Sequence, residues 1–110
     1  MILLPIDVYT QSMYNTSMIR SFADKETWKI YNQIFSKKLP HDIQRIALRK
    51  LIMMDNAINL DDLKVPPGNR LETLHGNRKG QYSIRINDQF RICFREKDND
   101  FYEVEIDDYH

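Results

Sequence analysis

Apolar positions recur at helical spacing through the first half of this chain and alternate with polar ones through the last third. The short apolar run Ile19–Phe22 reads as a strand. Asp24 then suits an N-cap, and Trp28, Tyr31 and Phe35, with Ile34 beside them, fall on one helical face. Pro40 breaks that pattern. A second helix is predicted from near Asp42, with Ile43, Ile46, Ala47, Leu51 and Met54 as its apolar stripe and Leu48 and Ile52 widening it. Asn59–Leu63 reads as one more helical turn. Val65-Pro66-Pro67-Gly68-Asn69 reads as a rigid connector, because proline fixes φ and has no N–H to donate. Four short strands follow, near residues 70–74, 81–86, 90–96 and 101–106. Turns at Asn87-Asp88 and Asp98-Asn99 make the last three an antiparallel meander.

Alternation assigns the faces of that sheet. Tyr82, Ile84 and Ile86, then Phe90, Ile92 and Phe94, then Tyr102, Val104 and Ile106 are predicted to back onto the two helices. Arg85, Arg91, Arg95, Glu103 and Glu105 take the other face, where cross-strand ion pairs compete with ligand binding for the arginines. The expected class is α+β, with two N-terminal helices on a curved, mainly antiparallel sheet of four to five strands. Met1–Ser17 carries a single charge, Asp7, and no basic residue, and reads as a disordered extension or a non-native start before a domain over residues 18–110. Its apolar part is too short for a signal peptide.

A chain of 110 residues with 42% hydrophobic and 29% charged residues fits one globular domain. No run approaches the roughly 20 apolar residues of a membrane span. The single cysteine, Cys93, excludes an internal disulfide framework and a multi-cysteine zinc site, and suits a reducing, cytoplasmic setting. The formal net charge of zero conceals two opposed blocks. Lys64–Arg95 holds seven basic residues against two acidic ones, whereas Glu96–His110 holds one against seven. The first block invites a polyanion at a focused site, while neutrality overall argues against tight nonspecific binding of free nucleic acid.

Three clusters carry candidate chemistry. In the loop His75-Gly76-Asn77-Arg78-Lys79-Gly80, two glycines let backbone approach a ligand, and Arg78 and Lys79 are suited to phosphate, although a plain hairpin connector looks the same. Arg91 sits on a strand between Phe90 and Ile92. Asp108-Tyr109-His110 closes the chain, and an acidic last strand beside the basic one would carry it back toward the loop. RNA cleavage through the 2′-hydroxyl needs a base, an acid for the leaving 5′-oxygen, and cations for the phosphorane-like transition state. Histidine serves either proton role near neutral pH, and Tyr109 or Tyr82 could stack on an unpaired base. No recognisable metal-ligand spacing occurs, so a metal-independent mechanism without a cofactor is expected.

The run VPPGNRLETLHGNRKGQYSIRINDQFRICF, followed by VEIDDYH, resembles the HigB toxins (plasmid maintenance system killer proteins) of the RelE/ParE superfamily. The likeness starts at Met18-Ile19-Arg20-Ser21-Phe22 and runs to His110. It implies the toxin half of a type II toxin–antitoxin pair, a ribosome-dependent endoribonuclease that cuts mRNA in the A site. It also implies neutralisation by a HigA-like helix-turn-helix antitoxin, through which alone operator DNA would be contacted, and no membrane partner. By position, Arg91 matches the family's strand arginine, Arg78 its loop arginine, Asp108, Tyr109 and His110 its terminal triplet, and His75 a frequent loop lysine. Some relatives carry a histidine where this chain has Glu72, so Glu72 could act as base, or His75 and His110 could divide the proton transfers. Lys79, Arg70, Arg85 and Tyr82 complete the expected RNA contacts. The same superfamily offers a second role, a noncatalytic inhibitor of DNA gyrase like ParE, and a third role is a toxin acting mainly as co-repressor with its antitoxin.

Overall fold

The computed structural model describes residues 17–108; Met1–Thr16, Tyr109 and His110 lie outside the described residues. Those described form two helices, α1 (Lys25–Tyr31) and α2 (His41–Asp55), and four strands, β1 (Glu72–Thr73), β2 (Tyr82–Arg85), β3 (Phe90–Lys97) and β4 (Asp100–Asp108). The strands make one antiparallel sheet in the order β1-β2-β3-β4, the expected α+β architecture. Among the described residues, no helix is long and apolar enough to cross a membrane.

One sheet face and the helices share a core. Ile30, Ile43, Ala47, Leu51 and Met54 pack against Ile84, Ile86, Phe90, Ile92, Phe94, Phe101, Val104 and Ile106. Buried Thr27 ties α1 to β4, its Oγ1 accepting from the Ile106 N–H at 2.8 Å. Ile19–Phe22 forms isolated parallel bridges, Ile19 to Phe101 and Phe22 to Val104, in place of a full strand. Four backbone bonds nonetheless stitch Met18–Ala23 along β4, so the stretch covers an otherwise open sheet edge. Ser17 anchors its start, donating from Oγ to Asp55, which also accepts from the Tyr31 hydroxyl at 2.5 Å.

The structure corrects three parts of the helix reading. First, α1 stops at Tyr31 and does not run on to Phe35. Gln33 adopts φ 62°, and the bonds Gln33 N→Ile30 O and Ile34 N→Lys29 O close a Schellman-type cap. Ile34 and Phe35 consequently emerge 45% and 55% exposed. Second, Ile52 is also exposed, so the apolar stripe of α2 is narrower than expected. Third, Asp24 occupies the N-cap with an extended backbone, but its side chain makes no capping bond. Burial holds its carboxyl above the ordinary carboxylate value.

β4 also departs from the expected alternation. Cys93 pairs with Glu105 but Arg95 pairs with Tyr102, so Glu103 and Val104 together oppose Phe94. Glu103 takes φ 53° in this bulge. The extra residue shifts the alternation by one. Phe101, not Tyr102, is fully buried and packs edge-on against Phe94 with ring centroids 5.1 Å apart.

Candidate functional site

Register builds the site on the sheet face opposite the helices. Glu72, Ser83, Cys93 and Glu105 are successive cross-strand partners, and Arg85, Arg91 and Asp107 form the adjacent row. Strand periodicity therefore brings a serine, a cysteine, two arginines and three acids onto one surface. The loop between β1 and β2 folds over it. Arg78 reaches across to β4, its Nη2 lying 3.3 Å from both Glu105 Oε1 and Asp107 Oδ1, while its Nη1 donates to Gln81 Oε1 at 2.9 Å.

That loop depends on Gly80. Its φ of +93° lies in the left-handed region, and a Cβ there would come within 2.9 Å of Arg95 Nη1. Arg95 in turn pairs with Glu103 at 3.5 Å, the cross-strand salt bridge anticipated for it.

Arg91 is 6% exposed, which is unusual for a guanidinium. Its Nε donates to Ser83 Oγ at 2.7 Å, and its Nη2 donates to the Arg70 carbonyl at 2.7 Å and lies 3.9 Å from Glu72 Oε2. The Arg70 side chain is exposed, and its backbone sits at φ 48° with the carbonyl turned to Arg91. Asn69 underpins this turn: it is fully buried and donates to the carbonyls of Leu63 and Val65, next to the cis Val65–Pro66 bond. Lys50 caps it from α2, and its pKa lies below the ordinary lysine value through burial and the nearby charges of Arg49 and Arg85.

The charges also act on one another. Burial pushes the Cys93 thiol up to about 11, with Asp107 and Glu105 adding to the effect against the opposing pull of Arg78 and Arg91. For Arg78, partial burial alone would lower the pKa, but Cys93, Asp107 and Glu105 outweigh it and hold the guanidinium above its ordinary value. Beside this cluster an open groove of about 590 Å³ is lined by Glu72, Thr73, Leu74, His75, Asn77 and Arg78. A hollow of about 710 Å³ at the C-terminal end of α2, by Ser17, Tyr31 and Asp55, has no basic lining.

Of the residues singled out in the sequence, Glu72, His75 and Arg78 line one groove, Arg91 lies beside it with Nη2 3.9 Å from Glu72, and Lys79 is exposed next to Arg78 in the loop. Arg85 is half-buried beside Arg91 and bonds Asp88 in the turn at 2.5 Å, not a glutamate of the next strand. Tyr82 lies on the helix side of the sheet, as alternation predicted, and stacks on Phe94 at 6.0 Å. Asp108 is opposite Phe90 and accepts from Gln89 Nε2 at 3.1 Å. Asp107, one residue earlier, holds Arg78 together with Glu105. Tyr109 and His110 lie outside the described residues. Sequence reasoning passed over Ser83, Asp107 and the clamp that Glu105 makes on Arg78. For Ser83 a signal existed, a small polar residue sharing the face of Arg85 between two core positions. Among the described residues, no three His, Cys, Asp or Glu side chains gather as a metal-binding group.

Residues 20–110 match the family model described as the RelE-like toxin of the type II toxin–antitoxin system HigB. The chain belongs to the HigB-like toxin family. It is 42% identical over 79 residues to Toxin HigB-1 of Vibrio cholerae serotype O1, covering 71% of this chain and 83% of that protein. It is also 34% identical over 70 residues to an uncharacterized protein of Haemophilus influenzae, covering 64% of this chain and 69% of that one. A HigB-like toxin of a type II system has an antitoxin as its partner. The matched span contains the whole four-stranded sheet and the groove beside it.

Proposed function

We propose that this HigB-like toxin is a metal-independent endoribonuclease that cuts mRNA in the ribosomal A site and so arrests translation. The observation that carries the reading is Arg91, a buried guanidinium held by Ser83 with its Nη2 3.9 Å from Glu72, which lines a groove together with His75 and Arg78. Such an arrangement suits a phosphodiester whose charge grows in the transition state, because pre-oriented cations then need little reorganisation. Arg91 holds the scissile phosphate, and Arg78 and Lys79 neutralise it and its neighbours. Glu72 or His75, both exposed on the groove, takes the 2′-hydroxyl proton. His110 protonates the leaving 5′-oxygen and Tyr109 orients or stacks, both directly following β4. The internal pairing of Arg78 with β4 fits a toxin that relies on the ribosome, not its own surface charge, to capture message. A HigA-like helix-turn-helix antitoxin neutralises it and connects it to operator DNA.

The test is primer extension across cellular mRNA after induction of the toxin. Discrete codon-linked cuts are expected, abolished by deletion of His110 and reduced on the order of 10²-fold or more by Arg91→Ala. Antitoxin capture should be intact in both variants. Uncut message accompanied by DNA damage would instead assign the toxin to gyrase.

A further inference from the structure

Charge alone does not explain how Arg91 is held. We propose that Ser83 is a positioning residue for Arg91, its hydroxyl setting the plane in which the guanidinium meets the phosphate. The inference rests on the reading of Arg91 as a phosphate-binding group, and it names the side chain that makes that binding directional.

Arg91 Nε donates to Ser83 Oγ at 2.7 Å, while Nη2 donates to the Arg70 carbonyl at 2.7 Å and to the Ser83 carbonyl at 3.4 Å. A guanidinium is planar and rigid, so anchors at Nε and Nη2 together fix its position and its tilt. The two carbonyls are main-chain atoms that any residue supplies. The hydroxyl on Nε requires a serine or threonine at this position. Ser83 is fully buried, in register between Glu72 and Cys93, so water competes poorly for the Nε–H. Glu72 lies 3.9 Å from Nη2 and is exposed, too distant and too wet to replace that anchor. Without the hydroxyl, Arg91 keeps its charge and its place in the strand but loses the contact that orients the guanidinium about its last torsions.

Ser83→Thr and Ser83→Val separate these effects, because they add the same bulk and differ in hydroxyl against methyl. Single-turnover cleavage of ribosome-bound message by the full chain is measured for both, beside wild type and Arg91→Ala. Threonine should stay within about 5-fold of the wild-type rate and valine should fall on the order of 10²-fold, as expected for a catalytic cation displaced by about 1 Å. The half-saturating ribosome concentration should move by less than about 3-fold, since the positioned contact acts in the transition state. In NMR, a slowly exchanging Arg91 Nε–H signal should survive in the threonine variant and vanish in the valine variant. Ser83→Ala adds no bulk and should behave as valine does, which keeps the comparison available if the β-branched pair does not fold. Equal rates for threonine and valine, or a wild-type rate for alanine, overturn the proposal when Arg91→Ala is inactive. A fully active Arg91→Ala removes the phosphate-binding reading itself, and the role of Ser83 with it.

Discussion

Cys93 and Arg78 set each other's chemistry at the level of single residues. The sulfur lies in the floor of the site, fully buried, and its pKa of about 11 keeps it a neutral thiol near pH 7. Because that value lies above the ordinary 9.0, the folded protein holds the proton more tightly than the unfolded chain does. The resulting stability is fully present below pH 9 and is lost as pH rises toward 11. Urea midpoints measured at pH 8 and pH 10.5 should therefore fall more steeply for wild type than for Cys93→Ala, with the other alkaline titrations common to both proteins. Alkylation by iodoacetamide at pH 8 gives a second readout. Thiolate is the reactive form, so the native protein should react at least about 100-fold more slowly than the urea-unfolded chain. Equal rates in the two states would mean that the thiol is neither buried nor perturbed.

At the scale of elements, the helix ends and the bulge explain what sequence could and could not reveal. The boundary of α2 was legible because Pro40 and a clear apolar stripe mark it, and the strands were legible because alternation and turn residues bound them. The end of α1 was not. Trp28, Tyr31 and Phe35 keep helical spacing, but spacing cannot register that Gln33 enters the left-handed region and turns the chain. The inward set of β4 failed for a similar reason: a bulge at Glu103 breaks the period of two that made Tyr102 a core residue. In the site, Arg91 could be read from its strand, whereas Ser83 and Asp107 gain their roles only through cross-strand register. The cap at Gln33 also has an energetic consequence. A non-glycine residue in the left-handed region costs roughly 1–2 kcal/mol, and glycine returns about half of that as unfolded-state entropy. Gln33 is exposed, so Gln33→Gly should raise unfolding stability by about 0.5–1 kcal/mol in urea titrations without altering activity. A loss of stability would show that the Gln33 side chain makes a contribution its exposure hides.

Across the whole molecule, the two charge blocks that cancel in the sequence are folded against each other. Arg78 meets Glu105 and Asp107, and Arg95 meets Glu103. The basic loop is thus partly neutralised by β4 before any ligand arrives. Releasing it should strengthen binding to free RNA. In Glu105→Gln with Asp107→Asn, both acids keep their size and lose their charge, leaving Arg78 available to a phosphate. Each acid is about one-third exposed, at 33% and 30%, so the pairs contribute little to folding and the double variant should fold normally. Its affinity for a short single-stranded RNA, followed by fluorescence anisotropy across a salt series, should exceed that of wild type. The slope of log K against log salt should also steepen by about 0.7, the increment for one further phosphate contact on a single strand. Adding Arg78→Ala to the double variant should return the slope to its starting value, which assigns the gained contact to that side chain. If affinity and slope are the same in wild type and the double variant, the acids of β4 do not hold Arg78 back from RNA.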